Sequence, residues 1–344
     1  MPRLKIIITA FALLFSTLAC NAATDLVSPD EYDYEEVTEY SEPAPAETEP
    51  IPAPTKAPEA LSCPVLLSDI MSAATAEGSD AEAQDDQYIV TYMVDGDQLS
   101  DPYYEDVSND LQDEQDDSAS HEFIWDYFTA IIPADERSFL AEYSITTDGA
   151  DNTLAAVTQT YDDPDKWALE VDILDISDTY NLTFTLIHEF GHLLTLNSEQ
   201  VPPSTRVFNN PDDVDIIESE RAACPEYFPG EGCSTASSYV NAFYDQFWVD
   251  IYDEWDETNY AEDDDTYYEM LDDFYYKYED QFISSYAATT LEEDIAESWS
   301  FFVLAPKPQP SSIANEKVLF FYDFPELVQL REEILDNLSE SFPQ

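Results

Sequence analysis

Two periods of apolar residues divide the chain: alternation in the stretch that opens the globular part, a helical repeat in the part that follows. Globular patterning begins near residue 62. "YIVTYMV" (88–94) is a β-rich run closed by the turn-like "DGD". The polar stretch 97–120 that follows reads as a surface loop. In "SFLAEYSITTDG", Phe139, Ala141, Tyr143 and Ile145 fall on one face, with Leu140, Glu142 and Ser144 on the other. "LAAVTQTY" and "WALEVDI" flank the turn sequence "DDPDK" and predict a hairpin, its second strand placing Trp167, Leu169, Val171 and Ile173 together. Asp178 is then suited to cap a helix over about 179–196. Beyond it the period is helical. Val240, Phe243, Phe247, Ile251 and Trp255 make one stripe, and Met270, Leu271, Phe274, Tyr278 and Phe282 a second. A capped helix spans "TTLEEDIAESWSFFVLAP", stopped at Pro306, and a last one spans "PELVQLREEILDNL". Strands, one helix at the junction, then helices: the expected class is α+β.

The N-terminus departs from this pattern. Arg3 and Lys5 precede an uncharged, mostly apolar run from Ile6 to Ala19, too short for a comfortable membrane span and suited to a signal peptide over residues 1–22. "LAC" resembles a bacterial lipobox ending at Cys20, the residue that would carry the lipid, although Thr17 stands where Leu is usual. Cleavage after Ala22 is the alternative. Residues 23–61 are acidic, proline-rich and almost devoid of aliphatic side chains, which predicts an extended linker without a core. Export to the cell surface or the extracellular space is expected either way, with any membrane attachment through the lipid alone. Cys224 and Cys233, around "PEYFPGEG", are candidates for a short disulfide loop in an oxidising compartment, which leaves Cys63 over.

Charge narrows the partners. The chain has 11 Lys plus Arg against 76 Asp plus Glu, a formal net charge of −65. Such a surface repels nucleic acid and anionic lipid, and it strains the compact state unless salt or bound cations relieve it. A saline habitat and calcium binding both fit. The acidic runs 212–220 and 262–265 offer carboxylates, but neither has EF-hand spacing with its glycine, and a solvated face is the simpler reading.

Only three histidines occur in 344 residues, and two stand in "TLIHEFGHLLTL" (185–196), four apart, with Glu189 between them. On a helix, positions i and i+4 lie one above the other, so His188 and His192 present two imidazoles to one point, as a tetrahedral zinc requires. Glu189 sits where it can act on a zinc-bound water. A metzincin would carry its further Gly and His where this chain has Thr195 and Ser198, so that ligand pattern fails. The remaining histidine, His121, lies in the poorer context "SASHEFIWDYF". A glutamate on a downstream helix is the other common third ligand, and Glu293 and Glu297, four apart, share one helix face. Thr290 and Glu293 also fit a capping box, in which case Glu297 or Glu292 would be the ligand.

The HEFGH helix and the "EEDIAES" helix together resemble gluzincins, the zinc-binding metallopeptidases found among bacterial exported proteins and distantly similar to the lethal-factor-like branch. The resemblance implies a zincin-like domain over 62–344, with a mostly antiparallel sheet and active-site helix in 62–197 and a helical subdomain in 198–344. It implies one catalytic zinc on His188, His192 and Glu293, with Glu297 orienting a ligand histidine. Glu189 would then be the general base and Tyr286 the oxyanion donor in place of a downstream histidine. The implied partner is a peptide or protein substrate met by a monomer. The gap of about a hundred residues between His192 and Glu293 implies a helical insertion over the cleft. A catalytically inactive surface binding lipoprotein of the same fold is the alternative, and a salt-adapted structural lipoprotein a third.

Overall fold

A computed structural model describes residues 63–74, 87–149, 153–261 and 263–342. The expected signal peptide, Cys20 and the acidic linker lie outside the described residues. The fold is α+β. Helix α1 (Cys63–Ala74) leads to strands β1 (Gln87–Asp95) and β2 (Gln98–Tyr104), then helices α2 (Gln112–Asp116) and α3 (Ser118–Ile131). Strands β3 (Leu140–Thr147), β4 (Ala155–Gln159) and β5 (Trp167–Asp172) complete the sheet before α4 (Thr179–Leu196). Helices α5 (Thr205–Phe208), α6 (Val214–Ala223), α7 (Tyr239–Phe243), α8 (Tyr252–Asp256) and α9 (Asp264–Tyr278) follow, then α10 (Leu291–Leu304), α11 (Ile313–Phe320) and α12 (Pro325–Ser341).

The sheet runs in the order β2-β1-β3-β5-β4, antiparallel except for the β3–β5 pair. Strand β4 leaves β3, takes the outer edge, and returns through the expected "DDPDK" hairpin into β5. Every residue of β5 is buried, so both of its faces are covered, consistent with the near-continuous apolar character of a parallel-paired interior strand. The expected loop over 97–120 is instead an edge strand and two helices. Gly96-Asp97 makes the hairpin turn between the paired Asp95 and Gln98, Gly96 at φ 63°, where a side chain would be strained. The polar residues of β2 pair with β1 and face solvent, and Asp101 and Pro102 form a bulge against β1.

Helix α4 is buried almost all round from Leu182 to Leu196, and α1, α10 and β4 pack against it. One apolar core joins the sheet to the helices, with a small satellite of Val207, Ile217 and Phe228 beneath the Cys224–Cys233 disulfide. The stripe from Val240 to Trp255 is buried as expected but does not form one helix. A π-helical turn over Tyr244–Trp248 separates α7 from α8, and it puts Phe247 and Trp248 both into the core, where a regular repeat would turn one of them away. Phe282 is buried but lies beyond the end of α9. No described helix is long and apolar enough to cross a membrane.

Candidate metal centre

The site is built where α4 and α10 touch. Asp178 starts α4, its carboxylate accepting the N–H groups of Tyr180 and Asn181 at 2.9 and 3.3 Å. Thr290 starts α10, its hydroxyl accepting the Glu293 N–H at 3.1 Å. Gly191 lets the two helices approach: a Cβ there would stand 2.9 Å from Cδ1 of Trp299 and 3.3 Å from the Cα of Ala296. Glycine inside a helix costs about 1 kcal/mol relative to alanine, so its place here is explained by the contact, not by the helix.

Across this contact three donor atoms converge. His188 Nε2 lies 3.0 Å from Glu293 Oε2 and 3.1 Å from His192 Nε2, and His192 Nε2 lies 3.4 Å from the same Glu293 oxygen. A tetrahedral ion with bonds of roughly 2.0–2.1 Å holds adjacent donors about 3.3 Å apart, so these atoms make one face of such a tetrahedron. Two imidazoles and a carboxylate are a donor set suited to zinc. The Glu293 carboxylate is therefore directed at the histidines, and the capping box is formed from one side only. Glu297 lies one turn on, its Oε1 3.3 Å from His188 Nδ1 but at an angle that leaves Nδ1 without a hydrogen bond. Its other oxygen accepts from Ser284 Oγ at 2.8 Å. Glu292 accepts from the Tyr227 hydroxyl at 2.7 Å, outside the histidine cluster.

Glu189 offers a carboxylate oxygen within 4.8 Å of both imidazoles and accepts a hydrogen bond from the Val157 N–H of edge strand β4. Tyr286, in a 3₁₀ turn over Tyr286–Ala288, stacks obliquely on His188 with ring centroids 5.9 Å apart, and its hydroxyl bonds Glu293. His188, Glu189 and His192 are only 5%, 7% and 8% exposed, nearly closed off from solvent.

Burial sets the electrostatics. It pushes the Glu189 carboxyl up to about 7, against the opposing pull of both histidines. Burial opposes charge on His188, yet the carboxylates of Glu293 and Glu297 that face its two nitrogens hold its pKa well above the ordinary value. Burial likewise opposes ionisation of Glu293, and the two imidazoles overcome it, keeping the carboxyl far below the usual range. These carboxylates make a field that favours positive charge at the convergence point, whether a proton or a metal ion carries it. Burial, then the charge of Glu293, keeps Tyr286 protonated, a hydrogen-bond donor at neutral pH.

Several neighbours had no signal in the sequence. Behind Glu293, Asp294 is fully buried 2.5 Å from the Nζ of fully buried Lys317 and accepts from Trp248 Nε1 at 2.7 Å. Burial raises the Asp294 carboxyl to about 6 and lowers the Lys317 pKa. Cys224 and Cys233 are bonded, and their loop supplies Tyr227 to Glu292 and brings Glu231 near His192. Burial lifts the Glu231 carboxyl to about 7, and its Oε2 has no hydrogen-bond partner. The two cysteines that bracket this loop were the one available clue to this cover. His121 is held elsewhere: buried on α3, it pairs through Nδ1 with the Tyr92 hydroxyl and through Nε2 with the Glu114 carbonyl, each at 2.9 Å. Of the acidic runs 212–220 and 262–265, Asp213 and Asp263 serve as helix caps for α6 and α9. Comparison with protein-family models, curated proteins and solved structures finds no match to this chain.

Proposed function

We propose that this chain is an exported, zinc-dependent peptidase of zincin-like architecture, hydrolysing peptide bonds with Glu189 as general base. The observation that carries the reading is the convergence of His188 Nε2, His192 Nε2 and Glu293 Oε2 at 3.0–3.4 Å from one another, with Glu189 beside them. These three residues would hold the metal, in the manner of a gluzincin. Bound zinc supplies Lewis acidity, bringing the pKa of a water at its open position towards neutrality.

The protein's own groups do the rest. Val157 N–H fixes one Glu189 oxygen, so the carboxylate is oriented before substrate arrives. Glu189 can then take a proton from the attacking water and give it to the leaving amine. Glu297, held by Ser284, sits behind the His188 ring and orients it. Tyr286 carries a hydroxyl proton that can turn from Glu293 to the oxyanion developing on the scissile carbonyl. Strand β4 forms the sheet edge next to Glu189, and an edge of this kind can accept an extended peptide as an added strand. The Cys224–Cys233 bond supports export, because such bonds persist in oxidising compartments.

The test combines metal content with turnover of a peptide library by the wild type, Glu189→Gln and Glu293→Ala. The expected result is one zinc per wild-type chain, zinc retained but turnover lost in Glu189→Gln, and zinc lost in Glu293→Ala. Equal turnover in Glu189→Gln refutes the mechanism. Zinc bound by a well-folded wild type without any peptide cleavage would favour a surface binding protein built on the same fold.

A further inference from the structure

A second group of acids lies at the end of the sheet, apart from the histidines. Asp148 follows β3, Asp172 ends β5, and Asp175 is in the connection to α4; each offers a carboxylate oxygen, and these oxygens lie within 4.8 Å of one another. Asp148 and Asp172 are 3% and 2% exposed. Neither forms an ion pair with a lysine or arginine among the described residues. Asp172 Oδ2 accepts from Asp148 N–H at 2.9 Å, Asp172 Oδ1 from Leu174 N–H at 2.7 Å, and Asp148 Oδ2 from Thr153 N–H at 3.2 Å, with the Thr147 hydroxyl also bonding the Asp172 carboxylate.

Those bonds leave the site short of positive charge. Asp148 Oδ1 is buried with no hydrogen-bond partner. The Asp148 side chain lines a cavity of about 10 Å³, shared with Asp172, Glu170, Thr146 and Thr153, which has room for one water-sized occupant. Buried acids without a compensating cation are costly, and a chain of net charge −65 has few side-chain cations to spare.

We infer that Asp148 and Asp172, which line this cavity, bind a calcium ion there, with Asp175, whose carboxylate oxygen lies within 4.8 Å of theirs, completing the ligand set. The donors are oxygen alone, which selects a hard cation over zinc. Magnesium keeps several waters and is usually held by one or two carboxylates, whereas three carboxylates whose oxygens converge within 4.8 Å suit calcium. The position also gives the ion a task. Asp172 ends β5 six residues before Asp178, the cap of α4, so calcium ties down the connection from the sheet to the helix that carries His188 and His192. The assignment does not rest on the zinc reading, and its test does not use activity.

Calcium is titrated calorimetrically into the full chain at physiological salt, with thermal unfolding followed in parallel. One calcium per chain and a calcium-dependent rise in Tm are expected. Asp148→Asn and Asp172→Asn should each weaken binding about tenfold or more, because they remove ligand charge. Asp175→Asn, on a partly exposed side chain, should weaken it as well, and an unchanged circular-dichroism spectrum reports that each variant is folded. Calcium affinity unchanged by all three substitutions would place the ion on the surface acids instead and overturn the assignment. So would a wild type with no calcium response, or one that answers magnesium equally.

Discussion

Replacing Gly191 by alanine sets two effects of opposite sign against each other. On an isolated helix the change stabilises by roughly 0.5–1 kcal/mol, because alanine loses less backbone freedom on folding. Here the new methyl would meet Trp299 Cδ1 at 2.9 Å and Trp299 Cγ and Ala296 Cα at 3.3 Å. The last is backbone, and the indole is fully buried against Phe190, Phe302 and Phe321, so neither neighbour yields without moving α10. Overpacking of this kind costs about 1–3 kcal/mol, and because the neighbours cannot yield, the upper part of that range applies, leaving a net loss of up to about 2.5 kcal/mol after the helical gain. The same displacement carries Glu293 away from the two imidazoles it lies 3.0 and 3.4 Å from. Zinc affinity should therefore fall about tenfold or more, near 1.4 kcal/mol, beyond the loss of stability. Urea unfolding of the zinc-free chain reads the first quantity, and competition with a chromophoric chelator the second. In a Trp299→Ala background the cost of Gly191→Ala should shrink, since Cγ and Cδ1 are both gone. A Gly191→Ala chain as stable as wild type, with unchanged zinc affinity, would refute the claim that this contact sets the ligand geometry.

Lys317→Met leaves Asp294 as an unpaired buried charge and should cost about 3–5 kcal/mol in urea unfolding, whereas Lys317→Met with Asp294→Leu should recover most of it. Removing the Cys224–Cys233 bond by paired serine substitution should cost about 2–3 kcal/mol, the loop-closure value for a separation of 9, read as a fall in the urea midpoint. Burial first raises the Asp172 carboxyl to about 7, with Asp175 adding to the shift and Asp148 and Glu170 facing it. A carboxyl whose folded pKa lies above its unfolded value of about 3.9 makes the folded state the stronger proton binder. Its favourable contribution is thus full below about pH 4 and is lost as pH rises through about 7, by at most ~4 kcal/mol. In calcium-free buffer Tm should fall across that window, and Asp172→Asn should flatten the fall; a profile identical in the two proteins would contradict it.

Elements with a cap and a clean period were legible in the sequence. Asp178 and the apolar residues after it define α4 to within a residue, and Thr290 with Pro306 brackets α10. The β4–β5 hairpin followed from its turn residues. Strand β2 was not legible, because a polar edge strand buries nothing and differs from a loop only in its backbone pairing with β1. The π turn at 244–248 was hidden for a related reason: the stripe through Phe247 and Ile251 fits an α period, and only the second demand, that Trp248 reach Asp294, shifts the backbone.

The candidate metal centre divides along the same line. Histidines four apart on one helix are a local arrangement, so sequence specifies them completely. The third candidate ligand is a tertiary choice between two carboxylates one turn apart on α10, and spacing alone treats Glu293 and Glu297 alike. What separates them is where each meets the His188 ring: Glu293 lies 3.0 Å from Nε2, the nitrogen that also faces His192, while Glu297 lies 3.3 Å from Nδ1 on the opposite side. That difference is set by the depth to which α10 seats on α4, hence by a glycine three residues after His188 and a tryptophan six after Glu293. The residues that define the ligand set are therefore partly ones with no metal chemistry of their own, and no motif built on histidines and acids can contain them.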